Sequence, residues 1–165
     1  MANFDLFYPT LLKFEGGYVN NPNDKGGRTK YGVTEAVWKQ NGGKKDIKDI
    51  TTEDAKPIAK KLYWDKMFGD QVVSQSVAEF IVDWAFMSGV VGTVKKIQEV
   101  LGIPQDGVFG KNTLFAINSA NPKNLFDHLK MRRQKFFDSI VANNPSQKVF
   151  LKGWTNRNNM FVWKG

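Results

Sequence analysis

The chain has 165 residues, a formal net charge of +8, no cysteine, five Trp and thirteen Phe. That length holds one compact domain, or one with two sub-domains, and the lack of cysteine excludes a disulfide-stapled scaffold. The charge favours a polyanionic partner, but Lys and Arg are scattered. No helix carries the basic stripe that a nucleic-acid-binding domain needs, and no run of about 18 apolar residues is present to span a membrane.

The first ten residues, MANFDLFYPT, have neither a basic n-region nor a long apolar segment, so no Sec signal peptide is expected there. Phe4, Tyr8 and Leu11 recur at helical spacing, and Glu15, four residues after Leu11, extends that stripe. A carboxyl group at the edge of an apolar face is partly desolvated, which favours the protonated form a general acid must carry. Gly16 and Gly17 end the helix and leave space in front of the carboxyl group. A glutamate at a helix C-terminus opposes the helix dipole, so structural benefit is not an obvious reason for it. On this context alone, a surface residue and a functional acid are equally good readings.

Asn20 to Gly27 form a dense turn cluster with Asp24 at its centre. Thr29 to Val33 alternates weakly, so residues 18–33 read as a β-hairpin or irregular loop. Thr34 is placed to cap a helix containing Ala36, Val37 and Trp38. Asp24 has two readings, an ordinary turn residue or the second carboxylate of a glycosidase pair. In the second reading, Thr29 holds water or substrate through its hydroxyl, and Gly32 lets the backbone approach a sugar.

Further along, Thr51 and Asp54 mark a helix start. That helix runs to about Trp64, with Pro57 in or near its first turn. Residues 76–88 form a strongly apolar helix with Val77, Phe80, Ile81 and Trp84 on one side. Asp83 interrupts it, and a buried aspartate there needs a partner such as an Arg or a helix end. A helix over about 91–101 precedes the turn Asp106-Gly107-Val108-Phe109-Gly110, with Thr113 beginning or capping the next helix. Residues 122–142 form a long helix with Leu125, Leu129, Phe136 and Ile140 inward. His128 has no companion for a metal site, and Arg157 is expected to make a structural ion pair. No His/Cys/Asp cluster calls for a metal or other cofactor.

The segment Glu15-Gly16-Gly17-Tyr18, followed by Asp24, Gly26, Gly27, Thr29, Tyr31, Gly32, Val33 and Thr34, resembles the motif of the glycoside hydrolase family 108 lysozymes. Asn21 before Pro22 and Lys25 after Asp24 depart from the usual loop. The Asp106-Gly107-x-Phe109-Gly110-x-x-Thr113 turn resembles that of peptidoglycan-binding modules, and Gly153-Trp154-x-x-Arg157 resembles the family's C-terminal segment. The resemblance implies a mainly α, lysozyme-like fold with a small β-hairpin. It implies a catalytic region over 1–90 and a peptidoglycan-binding-like helical region over 91–165, packed as one compact unit. Glu15 is then the catalytic acid, assisted by Asp24 and Thr29, and Tyr31, Gly32, Trp64 and Trp84 contact substrate. The implied partner is peptidoglycan, cleaved by a muramidase of endolysin or secretion-activator type and met as a monomer in the periplasm or outside the cell. A wall-binding or secretion-accessory protein without turnover is the alternative.

Overall fold

In a computed structural model of the protein, residues 1–20 and 27–165 are described. Eight α-helices and one three-stranded sheet appear among them. The chain falls into two compact units, Asn3–Asp65 and Lys66–Gly165, the latter joined by Met1–Ala2. The fold is mainly α, as the sequence implies.

The first unit begins with α1 (Phe4–Glu15), capped by Asn3, whose side chain accepts from the Asp5 N–H at 2.8 Å. Phe4, Phe7, Tyr8 and Leu11 are its buried face. Strands β1 (Tyr18–Val19), β2 (Thr29–Lys30) and β3 (Val33–Thr34) pair antiparallel in that order. Tyr18 lies opposite Lys30 and Val19 opposite Thr29; Thr29 in turn lies opposite Thr34. Helix α2 (Glu35–Gln40) follows, with the Thr34 hydroxyl accepting from the Val37 N–H at 3.2 Å.

Val33, Ile47, Ile50, Ala55 and Ile58 form a small core under the sheet, with Tyr31, Val37, Trp38 and Leu62 packed against it. The Trp38 indole lies so close to Gly43 that a Cβ there would sit 2.1 Å from the ring. Its N–H donates to the Lys45 carbonyl at 2.8 Å.

Helix α3 (Thr52–Ala59) starts with a reciprocal cap. Thr51 accepts from the Asp54 N–H at 3.1 Å, and Asp54 accepts from the Thr51 N–H at 2.9 Å. Pro57 sits in the second turn rather than the first, and the helix continues as a π-turn over Lys60–Trp64. Trp64 is then fully buried, its ring 5.4 Å from Phe4 and 6.1 Å from Phe7.

The second unit is helical: α4 (Gln75–Ser88), α5 (Val90–Leu101), α6 (Lys111–Ser119), α7 (Pro122–Asn143) and α8 (Lys148–Met160). Helix α4 is buried over most of its length, as its apolar sequence predicts. At its centre lies Asp83, fully buried and held by two arginines. Arg133 Nη1 donates to Oδ2 at 2.8 Å, and Arg157 Nη2 donates to Oδ1 at 2.7 Å.

The Arg133 guanidinium stacks 4.2 Å from the Phe80 ring centre, and its Nε donates to Asn158 at 2.8 Å. Arg133 therefore occupies a core position of α7, where Leu125, Phe126, Leu129 and Phe137 are buried with it. Phe136 and Ile140, expected inward, are only half-buried. An arginine inside the apolar stripe hides the true phase of this helix from the sequence. Among the described residues, no helix is long and apolar enough to cross a membrane.

Candidate active site

Helix α1 carries Glu15 out of the apolar core to its own last residue, where the side chain is half-buried. Two glycines then turn the chain away. The Gly16 N–H closes the helix on the Leu12 carbonyl at 2.7 Å, and a Cβ at Gly16 would stand 2.9 Å from that same oxygen. Gly17 has φ +77, a left-handed conformation that side chains rarely adopt. The Glu-Gly-Gly sequence thus follows from backbone geometry as well as from the need for open space.

The Gly17 carbonyl accepts from the Tyr31 N–H at 3.4 Å, tying the helix exit to the β2–β3 turn. That turn has two residues, Tyr31 at φ +53 and Gly32 at φ +78, the pattern of a tight I′-type hairpin. A tyrosine at positive φ is uncommon and is held here by the packing of its ring on the small core. Thr29, two residues before the turn, is half-buried and pairs in register with Val19 and Thr34. Glu15, Thr29, Tyr31 and Gly32 therefore belong to one helix-turn-sheet assembly within the first unit. Asp24 lies outside the described residues.

Around this assembly the sequence reading missed an ionic clamp. Arg28 is bonded to Glu35, its Nη1 donates to Asp46 at 3.0 Å, and the Tyr18 hydroxyl joins it. The Arg28 carbonyl accepts from the Glu35 N–H at 2.8 Å. The clamp holds β2 against the start of α2 and the turn before residue 47. Asp46 is kept below the usual carboxylate range first by the Lys48 N–H and then by Arg28. Arg28 and Asp46 are eighteen positions apart, so no local periodicity links them.

Tyr63 is within electrostatic reach of Glu15. Burial first, and then the Glu15 charge, raise its hydroxyl above the ordinary tyrosine value. Tyr8 is pushed up to about 12 by burial, with Glu53 and Tyr31 adding to it, and its hydroxyl donates to the Thr52 carbonyl at 2.8 Å.

Two expected substrate contacts are corrected by the structure. Trp64 and Trp84 are both 0% exposed, and each is packed among aromatic rings of its own unit. Neither offers a face to a sugar. Asp83, the odd polar residue of α4, is occupied by Arg133 and Arg157. No group of three or more His, Cys, Asp or Glu side chains able to hold a metal occurs among the described residues.

A glutamate at a helix exit, beside a short antiparallel sheet in a mainly α chain, is the arrangement of a lysozyme-like glycosidase. The family model for glycosyl hydrolase 108 matches residues 8–89, and that for a predicted peptidoglycan domain matches residues 92–159. The solved structure of SagA from Brucella abortus is similar with a TM-score of 0.79 and 32% sequence identity, over 96% of this chain and 90% of that one. A comparison with curated proteins finds no match. The chain belongs to the glycosyl hydrolase 108 family and carries that family's peptidoglycan segment.

Proposed function

We propose that the protein is a muramidase that hydrolyses the β-1,4 bond between N-acetylmuramic acid and N-acetylglucosamine in peptidoglycan. The observation that carries this reading is the place of Glu15: a half-buried carboxyl group at the exit of α1, followed by the bare Gly16–Gly17 backbone, within the glycosyl hydrolase match. Glu15 protonates the leaving glycosidic oxygen. Asp24 stabilises the oxocarbenium-like transition state or activates water, and Thr29 positions that water. Tyr31 and Gly32 contact the sugar. The second unit retains the enzyme on the wall, and the net charge of +8 steers it towards anionic wall polymers. The enzyme acts as a monomer on the wall outside the cytoplasm.

The test is clearing of purified peptidoglycan by the wild type and by Glu15→Gln, with the released fragments read by mass spectrometry. The expected loss on substitution is about 100- to 10,000-fold, the usual worth of a positioned general acid. The expected fragments end in reducing N-acetylmuramic acid. Equal clearing by both proteins removes Glu15 from the reaction, and fragments ending in reducing N-acetylglucosamine reassign the bond. No clearing by either protein leaves a wall-binding accessory protein.

A further inference from the structure

We propose that the cleft between the 103–110 loop and the start of α6 binds the peptide stems of peptidoglycan; this rests on the wall reading above. The loop is built around Gln98, which is 1% exposed. The Gln98 amide nitrogen donates to Asp106 Oδ1 at 2.9 Å, to the Val108 carbonyl at 3.1 Å and to Thr113 Oγ1 at 3.1 Å. Its oxygen accepts from the Gly107 N–H at 3.0 Å. Gly107 has φ +76, and a Cβ there would meet Val91 at 2.9 Å. One buried amide and one obligatory glycine therefore fix the wall of the cleft before any ligand arrives, which lowers the ordering cost of binding.

The cleft has a volume of about 480 Å³, within the range of ligand sites. Ile103 and Pro104 give it an apolar side; Asp106, Lys111 and Asn112 give it polar groups. Asp106 is held below the usual carboxylate range, first by the Val108 N–H and then by Gln98, so it is ionised at neutral pH. Among the described residues, Lys111 makes no ion pair and Asn112 no side-chain hydrogen bond.

The cleft thus offers one anion, one cation and one amide beside an apolar wall. An N-acetylglucosamine-type glycan, with hydroxyl and acetamido groups only, carries no charge to pair with either, and in the intact wall the lactyl carboxyl of N-acetylmuramic acid is tied up in the amide to the stem. A stem peptide uses all of them. Its carboxylate pairs with Lys111, the amine of its diamino acid pairs with Asp106, its amides meet Asn112, and its methyl groups meet Ile103 and Pro104. All these residues lie within the stretch matched by the peptidoglycan model.

The experiment uses the full chain carrying Glu15→Gln to suppress turnover. Titration calorimetry compares a synthetic stem tripeptide ending in a diamino acid with an uncharged N-acetylglucosamine oligomer. Lys111→Glu, with its melting temperature checked, is expected to weaken tripeptide binding about tenfold or more and to leave glycan binding unchanged. Asn112→Ala gives a smaller loss in the same direction. Equal tripeptide binding by parent and Lys111→Glu overturns the proposal, as does glycan binding that Lys111→Glu abolishes. Retention on whole sacculi separates the two levels. If sacculi are bound but tripeptide is not, only the cleft assignment fails; if sacculi are not bound, the wall reading fails with it.

Discussion

The two units differ in where their main ionic network sits. In Asn3–Asp65 the charged groups stand at the surface. Arg28, Glu35 and Asp46 form a partly exposed clamp, while Lys45 reaches Asp54 at 2.8 Å and Lys56 reaches Asp5 at 2.8 Å. In Lys66–Gly165 the central pair is Asp83 and Arg133, both 0% exposed, within a ring of phenylalanines. The first arrangement orients backbone segments around the candidate catalytic residues at little energetic risk. The second fixes three helices, α4, α7 and α8, to one point, and is costly to disturb. Around the candidate site, shape in the first unit comes from backbone exceptions at Gly16, Gly17, Tyr31, Gly32 and Gly43; at the Asp83 junction of the second it comes from side-chain packing.

The largest test of this contrast is Asp83→Asn. Removing one member of a buried ionic network leaves uncompensated charge, so a loss of about 3–5 kcal/mol is expected in urea unfolding. A loss below that of an ordinary surface change removes the contrast. Next is Gly43→Ala, which forces the Trp38 indole from its place and is expected to cost about 1–3 kcal/mol. Trp38 fluorescence would move with it, since the Lys45 carbonyl no longer meets the indole N–H. Thr51→Ala removes half of the reciprocal cap of α3 and is expected to cost about 1 kcal/mol.

Asp54, the other half of that cap, sharpens the comparison through pH. Its carboxyl group is lowered from 3.8, first by Lys45 and then by the Thr51 N–H. Its folded value lies below its unfolded value. The stability it contributes is therefore present above about pH 4 and is lost as pH falls through the folded value. The melting-temperature gap between wild type and Asp54→Asn should accordingly be widest at neutral pH and close on acidification. The smallest effect on melting is expected from Arg28→Ala, a surface group screened by solvent.

Much of this was legible in the sequence wherever the signal is local. The stripe Phe4, Tyr8, Leu11 and the glycines after Glu15 gave α1 and its end, Thr34 and the Thr51–Asp54 pair gave two helix starts, and the composition of residues 76–88 gave the buried helix. Burial of Asp83 also required a cation, and Arg157 was expected in an ion pair. What could not be read was the distance at which partners meet. Arg133 lies 50 positions from Asp83, and Arg157 lies 74. Aromatic residues were equally ambiguous: Trp64 and Trp84 suit a sugar platform or a core, and only the packing decides. In the candidate site, Glu15, Thr29, Tyr31 and Gly32 came from motif order, whereas the Arg28 clamp and the reach of Glu15 to Tyr63 depend on tertiary proximity.

The Asp83–Arg133–Arg157 junction also limits how this sequence can change over time. Losing Asp83 strands two cations, the fully buried Arg133 and the nearly buried Arg157, and losing Arg133 leaves the buried Asp83 carboxylate to Arg157 alone, so stepwise drift through these positions is costly. An apolar trio of matching volume would be tolerated and could even raise stability, but it is reached only by simultaneous change. These three positions should therefore vary as a set among descendants of this chain or not at all, and a library that randomises them together is the one in which replacements will be found.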